Sequence, residues 1–209
     1  MALPFPASGT YAITPPFEGF DQLIKQVELV LQGGIRVLQL RDKQRRASDS
    51  QAQELLQLCH AYGVPLIIND DLDLALRIGA DGVHLGKEDL SIQAGRQYLG
   101  PEAIIGISCY GDLQRAITAC ENHATYVAFG AFFPSSTKPQ APRVSKEILQ
   151  QAKQKVQCPV VAIGGITPTN GKALLQAGTD LLAVINGIFG QPNPKLAAMN
   201  YNALFEGNR

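Results

Sequence analysis

Along nearly the whole chain, short apolar runs alternate with longer stretches in which apolar residues recur at helical spacing. The first β-prone run covers residues 11–13 and is ended by Pro15-Pro16. Residues 20–31 (FDQLIKQVELVL) carry helical spacing and stop at Gly33-Gly34, the residue type that best closes a helix. A second strand is predicted over 35–40, and Ser48 is placed to cap a helix running to about His60. Gly63 and Pro65 then punctuate entry to a strand over 66–68. The pattern continues with a helix over 72–78 ended by Gly79, a strand over 83–85 and a short helix over 91–98. A strand over 103–107 ending in Ser108, a helix over 112–121 and a strand over 125–129 come next. A long Pro-rich loop, 130–143, precedes a helix over 144–155, a strand over 160–163 and Gly164-Gly165-Ile166. The last units are a helix over 168–176 stopped by Gly178, a strand over 181–184, a turn near 186–189 and a helix over 194–205.

That reading gives eight strands alternating with about eight helices, and no break in composition marks a linker. Doubly wound sheets usually have fewer strands. An eightfold alternation at this length favours a single α/β domain over residues 1–209, a closed (β/α)8 TIM barrel. A weak internal echo agrees, since helix, Gly, small residue, Asp and strand follow one another at Gly79-Ala80-Asp81 and again at Gly178-Thr179-Asp180.

Composition narrows the partners. Hydrophobic residues make up 45% of the chain and charged residues 17%, which supplies a core and argues against disorder. Lys+Arg and Asp+Glu both number 18, so no overall charge draws the chain to nucleic acid or to a membrane surface, and anions must be held by local clusters. Cys59, Cys109, Cys120 and Cys158 form no CxxC pair, so reduced thiols are expected rather than zinc or disulfides. The first residues, MALPFPASGTYAITPP, lack the basic and apolar regions of a signal peptide, and no apolar run approaches the roughly 18 residues of a membrane span. A cytoplasmic chain is the expectation, and a homo-oligomer is compatible with it.

The chemistry-bearing residues fall where strands end. Gln39, Arg41 and Lys43 follow strand 2, Asn69 and Asp70 follow strand 3, and Asp89 follows strand 4. Ser108 ends strand 5, while Ser135, Ser136, Thr137 and Lys138 lie after strand 6. Gly164-Gly165 follows strand 7 and Ile185-Asn186 follows strand 8. In a (β/α)8 enzyme the active site is built on this carboxyl-terminal face. The carboxylates of Asp70 and Asp89 on neighbouring parallel strands suit a hard divalent cation such as Mg2+; the plainer alternative is that Asp70 only caps the helix after it. Gln39, Arg41 and Lys43 are two apart, so an extended chain points all three into the barrel mouth while Leu38 and Leu40 face outward; the alternative is a solvated loop with Arg45 and Arg46. The Ser-Ser-Thr-Lys loop can wrap a phosphate or close as a lid, or it is an ordinary Pro-rich loop. Gly164-Gly165 matches the usual phosphate site of such barrels. His84, inside a strand run, reads as a core histidine, Cys109 lacks a base, and Tyr126, Phe129, Phe132 and Phe133 read mostly as core with the option of lining a pocket for a flat ring.

Several of these stretches, taken in order, resemble the thiamine phosphate synthase family. They are Tyr11-Ala-Ile-Thr14, Gln39-Leu-Arg-Asp-Lys43, Ile68-Asn-Asp70, Ala80-Asp-Gly-Val-His-Leu-Gly86 with Glu88-Asp89, and Ile105-Gly-Ile-Ser108. Phe133-Pro-Ser-Ser-Thr-Lys138, Ala162-Ile-Gly-Gly-Ile166 and Ala183-Val-Ile-Asn186 complete the set. The resemblance implies a (β/α)8 barrel and a Mg2+-dependent condensation of a hydroxymethylpyrimidine diphosphate with a thiazole phosphate or its carboxylated form, giving thiamine phosphate and pyrophosphate. By the same resemblance Asp70 and Asp89 bind Mg2+. Gln39, Arg41, Lys43, Asn69 and Lys138 hold the pyrimidine diphosphate, with Ser108 against it or its ring. Ser135, Thr137, Gly165 and the backbone at Ile185-Asn186 hold the thiazole phosphate. Arg41, Lys43, Ser108 and Lys138 are the groups expected to act on the reacting centre.

The chain departs from the family pattern at three places. Asn186 stands where Ser is expected in many relatives, Ser135 where Thr is common, and Tyr110 where His is familiar, so no role carries over to Tyr110. Three rivals remain at this stage: a thiazole tautomerase on a related barrel, another phosphate-binding barrel such as a phosphosugar isomerase, and a non-catalytic binding barrel. The joint presence of Arg41, Lys43, Asp70, Asp89 and Lys138 favours the synthase over all three.

Overall fold

In the structure, a computed structural model that describes residues 2–86, 92–135 and 140–206, the apolar runs become a ring of eight parallel strands. They are β1 (Gly9–Ile13), β2 (Val37–Leu40), β3 (Leu66–Asn69), β4 (Gly82–Leu85), β5 (Ile104–Tyr110), β6 (Tyr126–Phe129), β7 (Val160–Ile163) and β8 (Leu181–Val184). The ring closes where β1 pairs with β8, from Gly9 opposite Leu181 to Ala12 opposite Val184. Around it stand α1 (Phe20–Gln32), α2 (Asp49–Ala61), α3 (Leu72–Ile78), α4 (Ile92–Leu99), α5 (Leu113–Glu121), α6 (Glu147–Lys155) and α7 (Pro168–Gln176), followed by α8 (Asn186–Phe189) and α9 (Pro194–Asn202). This is the expected (β/α)8 barrel.

Alternation along each strand sorts the apolar residues into two cores. Leu38, Leu40, Leu66, Ile68, Val83 and Leu85 face outward and pack beneath the helices. Tyr11, Val37, Ile67, Ile104, Tyr126 and Leu181 face inward and fill the barrel. Local chemistry sets the helix starts. Ser48 and Gln51 form a reciprocal capping box on α2, Asp112 caps α5, and Thr167 with Pro168 opens α7. The helix expected from 144 begins only at Glu147, and Val144 belongs instead to the loop after β6, its N–H bonded to the Ala131 carbonyl at 2.9 Å.

The Gly-x-Asp echo has a physical basis. Asp81 accepts from the Leu66 N–H at 2.7 Å, and Asp180 accepts from the Val160 N–H at 2.9 Å. Each aspartate thus ties the start of its own strand to the start of the preceding one. Asp81 is fully buried, and it also accepts from the Leu3 N–H at 2.7 Å and bonds His60 Nε2 at 2.9 Å. The segment before β1 is therefore strapped across the amino-terminal end of the barrel.

One expectation is corrected. Cys120, at the end of α5, and Cys158, just before β7, form a disulfide rather than staying as two thiols. Their separation of 38 residues gives no sign of pairing in the sequence, yet the barrel sets α5 beside α6 and β6 beside β7, bringing their Cα atoms to 6.0 Å. Cys59 and Cys109 are buried free thiols, as expected.

Candidate active site

A cavity of about 900 Å³ opens at the carboxyl ends of the strands. Of the residues expected there, Gln39, Arg41, Asn69, Ser108, Ser135, Gly165, Ile185 and Asn186 line it. Lys43 and Asp70 are exposed and lie outside its lining. For Lys43 the reason is local, since β2 ends at Leu40 and the alternation that aims Gln39 and Arg41 inward gives way to a turn. Asp89, Thr137 and Lys138 fall outside the described residues. Of the four aromatics, Tyr126 lines the cavity, whereas Phe129 and Phe132 are buried in the outer core with Phe133 packed against it.

The floor of the cavity is a chain of hydrogen bonds among side chains from five strands. Gln39 Nε2 donates to the Tyr11 hydroxyl at 2.7 Å, and the Tyr11 and Tyr126 hydroxyls lie 2.7 Å apart. The Tyr126 hydroxyl is 2.9 Å from His84 Nδ1, and His84 Nε2 is 2.8 Å from Ser108 Oγ. Burial pushes both phenols well above their ordinary range, so they remain neutral. His84 thus bridges the Tyr126 and Ser108 hydroxyls through its two ring nitrogens, and its tautomer sets which partner donates. His84 is thus a member of the site and not merely a core histidine. The inward alternation of β1, β4 and β6 is the sequence signal for Tyr11, His84 and Tyr126, but it is shared by every inward residue.

At the rim, Asp70 and Asp71 divide two duties. Asp71 caps α3, accepting from the Leu74 N–H at 2.9 Å, so the capping role expected for Asp70 belongs to its neighbour. Asp70 sits at φ 63°, a left-handed conformation that Asp tolerates better than most residues, and its N–H bonds the His84 carbonyl at 3.0 Å. Its carboxylate accepts from the Asn69 amide at 2.5 Å. Arg115, a residue the sequence did not single out, donates from Nε to the Ser108 carbonyl at 2.8 Å and from Nη2 to the Gly86 carbonyl at 2.7 Å. It thereby braces the irregularity in β5 between Ser108 and Tyr110, where Tyr110 takes φ 55°. Gly165, at φ 61°, lies so close to the Phe133–Pro134 backbone that any Cβ would collide with it. Cys109 is no nucleophile, since burial first of all pushes its thiol up to about 12.

The model of the thiamine monophosphate synthase family matches residues 10–188. The chain belongs to this family. A thiamine-phosphate synthase of Methylococcus capsulatus is 48% identical over 211 residues, covering 100% of this chain and 94% of the relative. One of Azoarcus sp. is 49% identical over 200 residues, covering 94% and 97%. Among solved structures, a thiamine phosphate pyrophosphorylase of Pyrococcus furiosus superposes with a TM-score of 0.82 at 32% identity, over 96% of each chain. A 3-hexulose-6-phosphate synthase, at TM-score 0.69 and 17% identity, shares the fold alone. Membership of the family makes the protein a transferase of thiamine biosynthesis. It also weighs against the tautomerase, isomerase and binding-barrel alternatives.

Proposed function

We propose that the cavity holds a hydroxymethylpyrimidine diphosphate and a thiazole phosphate side by side and joins them into thiamine phosphate. The pyrimidine methylene C–O bond breaks and its electron pair leaves with pyrophosphate. The thiazole nitrogen lone pair forms the new C–N bond, giving the thiazolium cation. Neither step needs a protein nucleophile. The observation that carries this reading is the cavity itself: a hydrogen-bonding floor suited to an aminopyrimidine ring lies below a rim bearing Arg41, Asn69 and Ser135. Gln39 and Ser108 face the pyrimidine, with Tyr126 and His84 holding Ser108 in place. Arg41, with Lys43 and Lys138, is assigned to the diphosphate, where a developing negative charge gains most from fixed cations. Ser135, Thr137, Gly165 and the Ile185-Asn186 backbone are assigned to the thiazole phosphate.

Mg2+ is proposed as the cofactor. Asp70 fits this role, because its carboxylate is exposed at the end of β3 and the capping duty falls on Asp71. Mg2+ commonly takes one or two carboxylates, keeps several waters and takes its remaining ligands from substrate phosphates, so Asp70 with Asp89 is a sufficient protein contribution. When bound, the ion neutralises charge on the departing diphosphate. The reaction is assigned to the cytoplasm, and no helix among the described residues is long and apolar enough to cross a membrane.

The test is pyrophosphate release by purified protein given both substrates, with Mg2+ or with a chelator. Metal-dependent release that requires both substrates, matched by thiamine phosphate, is the expected result. Absence of release from folded protein would move the assignment to the tautomerase or to a non-catalytic binder.

A further inference from the structure

The hydrogen-bonded floor has a neighbour on its far side. Phe5, in the strap that precedes β1, lies with its ring centroid 4.4 Å from that of Tyr126 and its plane within 6°, and it meets the edge of Tyr11 at 6.4 Å. The strap is fastened two residues earlier, where the Leu3 N–H is bonded to the buried Asp81 carboxylate at 2.7 Å. Asp81 stands at the amino-terminal end of β4, the strand that carries His84. Phe5 therefore reaches Tyr126 from the end of the barrel opposite the substrate cavity.

Tyr126 has little latitude elsewhere. Its ring lies so close to the backbone of β5 at Gly106 that any side chain there would overlap it. Its hydroxyl is committed to Tyr11 at 2.7 Å and to His84 at 2.9 Å. The ring is thus confined by sheet backbone at Gly106, by the His84 ring at 5.5 Å and the Tyr11 ring at 5.8 Å between centroids, and, from the strap, by Phe5, which lies nearest and most nearly parallel. A stacked aromatic pair fixes tilt as well as distance, because offset stacking is favoured only over a narrow range of geometry. A tilt of Tyr126 would move its hydroxyl, and with it His84 and the Ser108 hydroxyl.

We propose that Phe5 is a positioning residue for the pyrimidine half of the site: from the amino-terminal end of the barrel it holds Tyr126 in the orientation that aims His84 and Ser108 at the substrate. This inference rests on the reading that the floor receives the pyrimidine. It assigns a functional role to the strap, which touches neither substrate.

The experiment compares Phe5→Ala, Phe5→Leu and Phe5→Tyr with the wild-type protein by steady-state kinetics, by calorimetric binding of the pyrimidine diphosphate and by thermal melting. Phe5→Leu keeps an apolar plug without a flat face, and Phe5→Tyr keeps the flat face. The expected result is a KM for the pyrimidine diphosphate raised about tenfold in Phe5→Leu and Phe5→Ala, matched by weaker calorimetric binding. The KM for the thiazole phosphate should stay unchanged, and Phe5→Tyr should restore the wild-type values. A purely structural plug would lower the melting temperature and leave both KM values and kcat as they were, and that result in Phe5→Leu overturns the proposal. Should Phe5→Ala fail to fold, Phe5→Leu against Phe5→Tyr still decides. Wild-type protein that does not bind the pyrimidine diphosphate would overturn the reading of the floor itself, an outcome distinct from binding that is indifferent to Phe5.

Discussion

Asp70 and Asp71 are adjacent carboxylates with different neighbours, and the difference predicts different mutant behaviour. Asp71 accepts a backbone N–H at the start of α3, so Asp71→Ala removes a cap, while Asp70→Asn leaves α3 capped. Asp70→Asn is therefore expected to raise the Mg2+ concentration needed for half-maximal pyrophosphate release and to lower turnover, with the melting temperature little changed. A Mg2+ titration that overlays the wild type would remove Asp70 from the metal site. Tyr126→Phe tests the floor: it deprives the Tyr11 hydroxyl and His84 Nδ1 of a hydrogen-bond partner in a buried setting, where an unsatisfied group costs about 1–3 kcal/mol. Denaturant unfolding should show a loss of that size, with a raised KM for the pyrimidine diphosphate. Ser108 was legible as a cavity residue because the sequence places it at the end of an apolar strand run. His84 was not, because a histidine flanked by Val83 and Leu85 looks the same in sequence whether its partners are core or site.

Among the elements, most boundaries were legible because their signals are local. The Ser48–Gln51 capping box, Thr167 before Pro168 and the left-handed Gly79 act within a few residues of themselves. Ser48→Ala is expected to cost about 1 kcal/mol of stability and to leave kinetic constants unchanged, since α2 begins away from the cavity lining; paired melting curves and assays check this. The extension of β5 to Tyr110 was less legible. Its irregularity is held by Arg115, whose carbonyl partners lie 7 and 29 residues away in the chain. Lys43 shows the same limit in reverse, because the two-residue period that aims Gln39 and Arg41 inward holds only while the backbone stays extended.

For the whole molecule, buried tyrosines make stability depend on alkaline pH. Burial raises the Tyr11 and Tyr126 hydroxyls above the ordinary range and pushes Tyr201 up to about 12. The folded chain keeps these protons after the unfolded chain has lost them. Their contribution is thus intact below the unfolded value near pH 10 and falls away as pH rises, by up to about 1.4 kcal/mol per pH unit for each such tyrosine. Denaturant midpoints measured from pH 8 to 11 should be level at first and then drop. The Cys120–Cys158 disulfide closes a loop of 38 residues, which in the chain-entropy account corresponds to about 4 kcal/mol. Dithiothreitol should lower stability by that order in the wild type but not in a Cys120→Ala, Cys158→Ala variant.

What the sequence determined by itself was the order of strands and helices, hence a closed parallel barrel, and the edge on which its polar residues gather. Both follow from periodicity and from signals that act over a few residues. The tertiary structure decided which inward side chains touch. Tyr11, Gln39, His84, Ser108 and Tyr126 come from five strands, and their bonds span up to 115 residues of chain. It also decided that Phe5 reaches the floor from beneath and that Cys120 meets Cys158. Barrel closure and register set these distances, and neither is written in any local stretch of the chain.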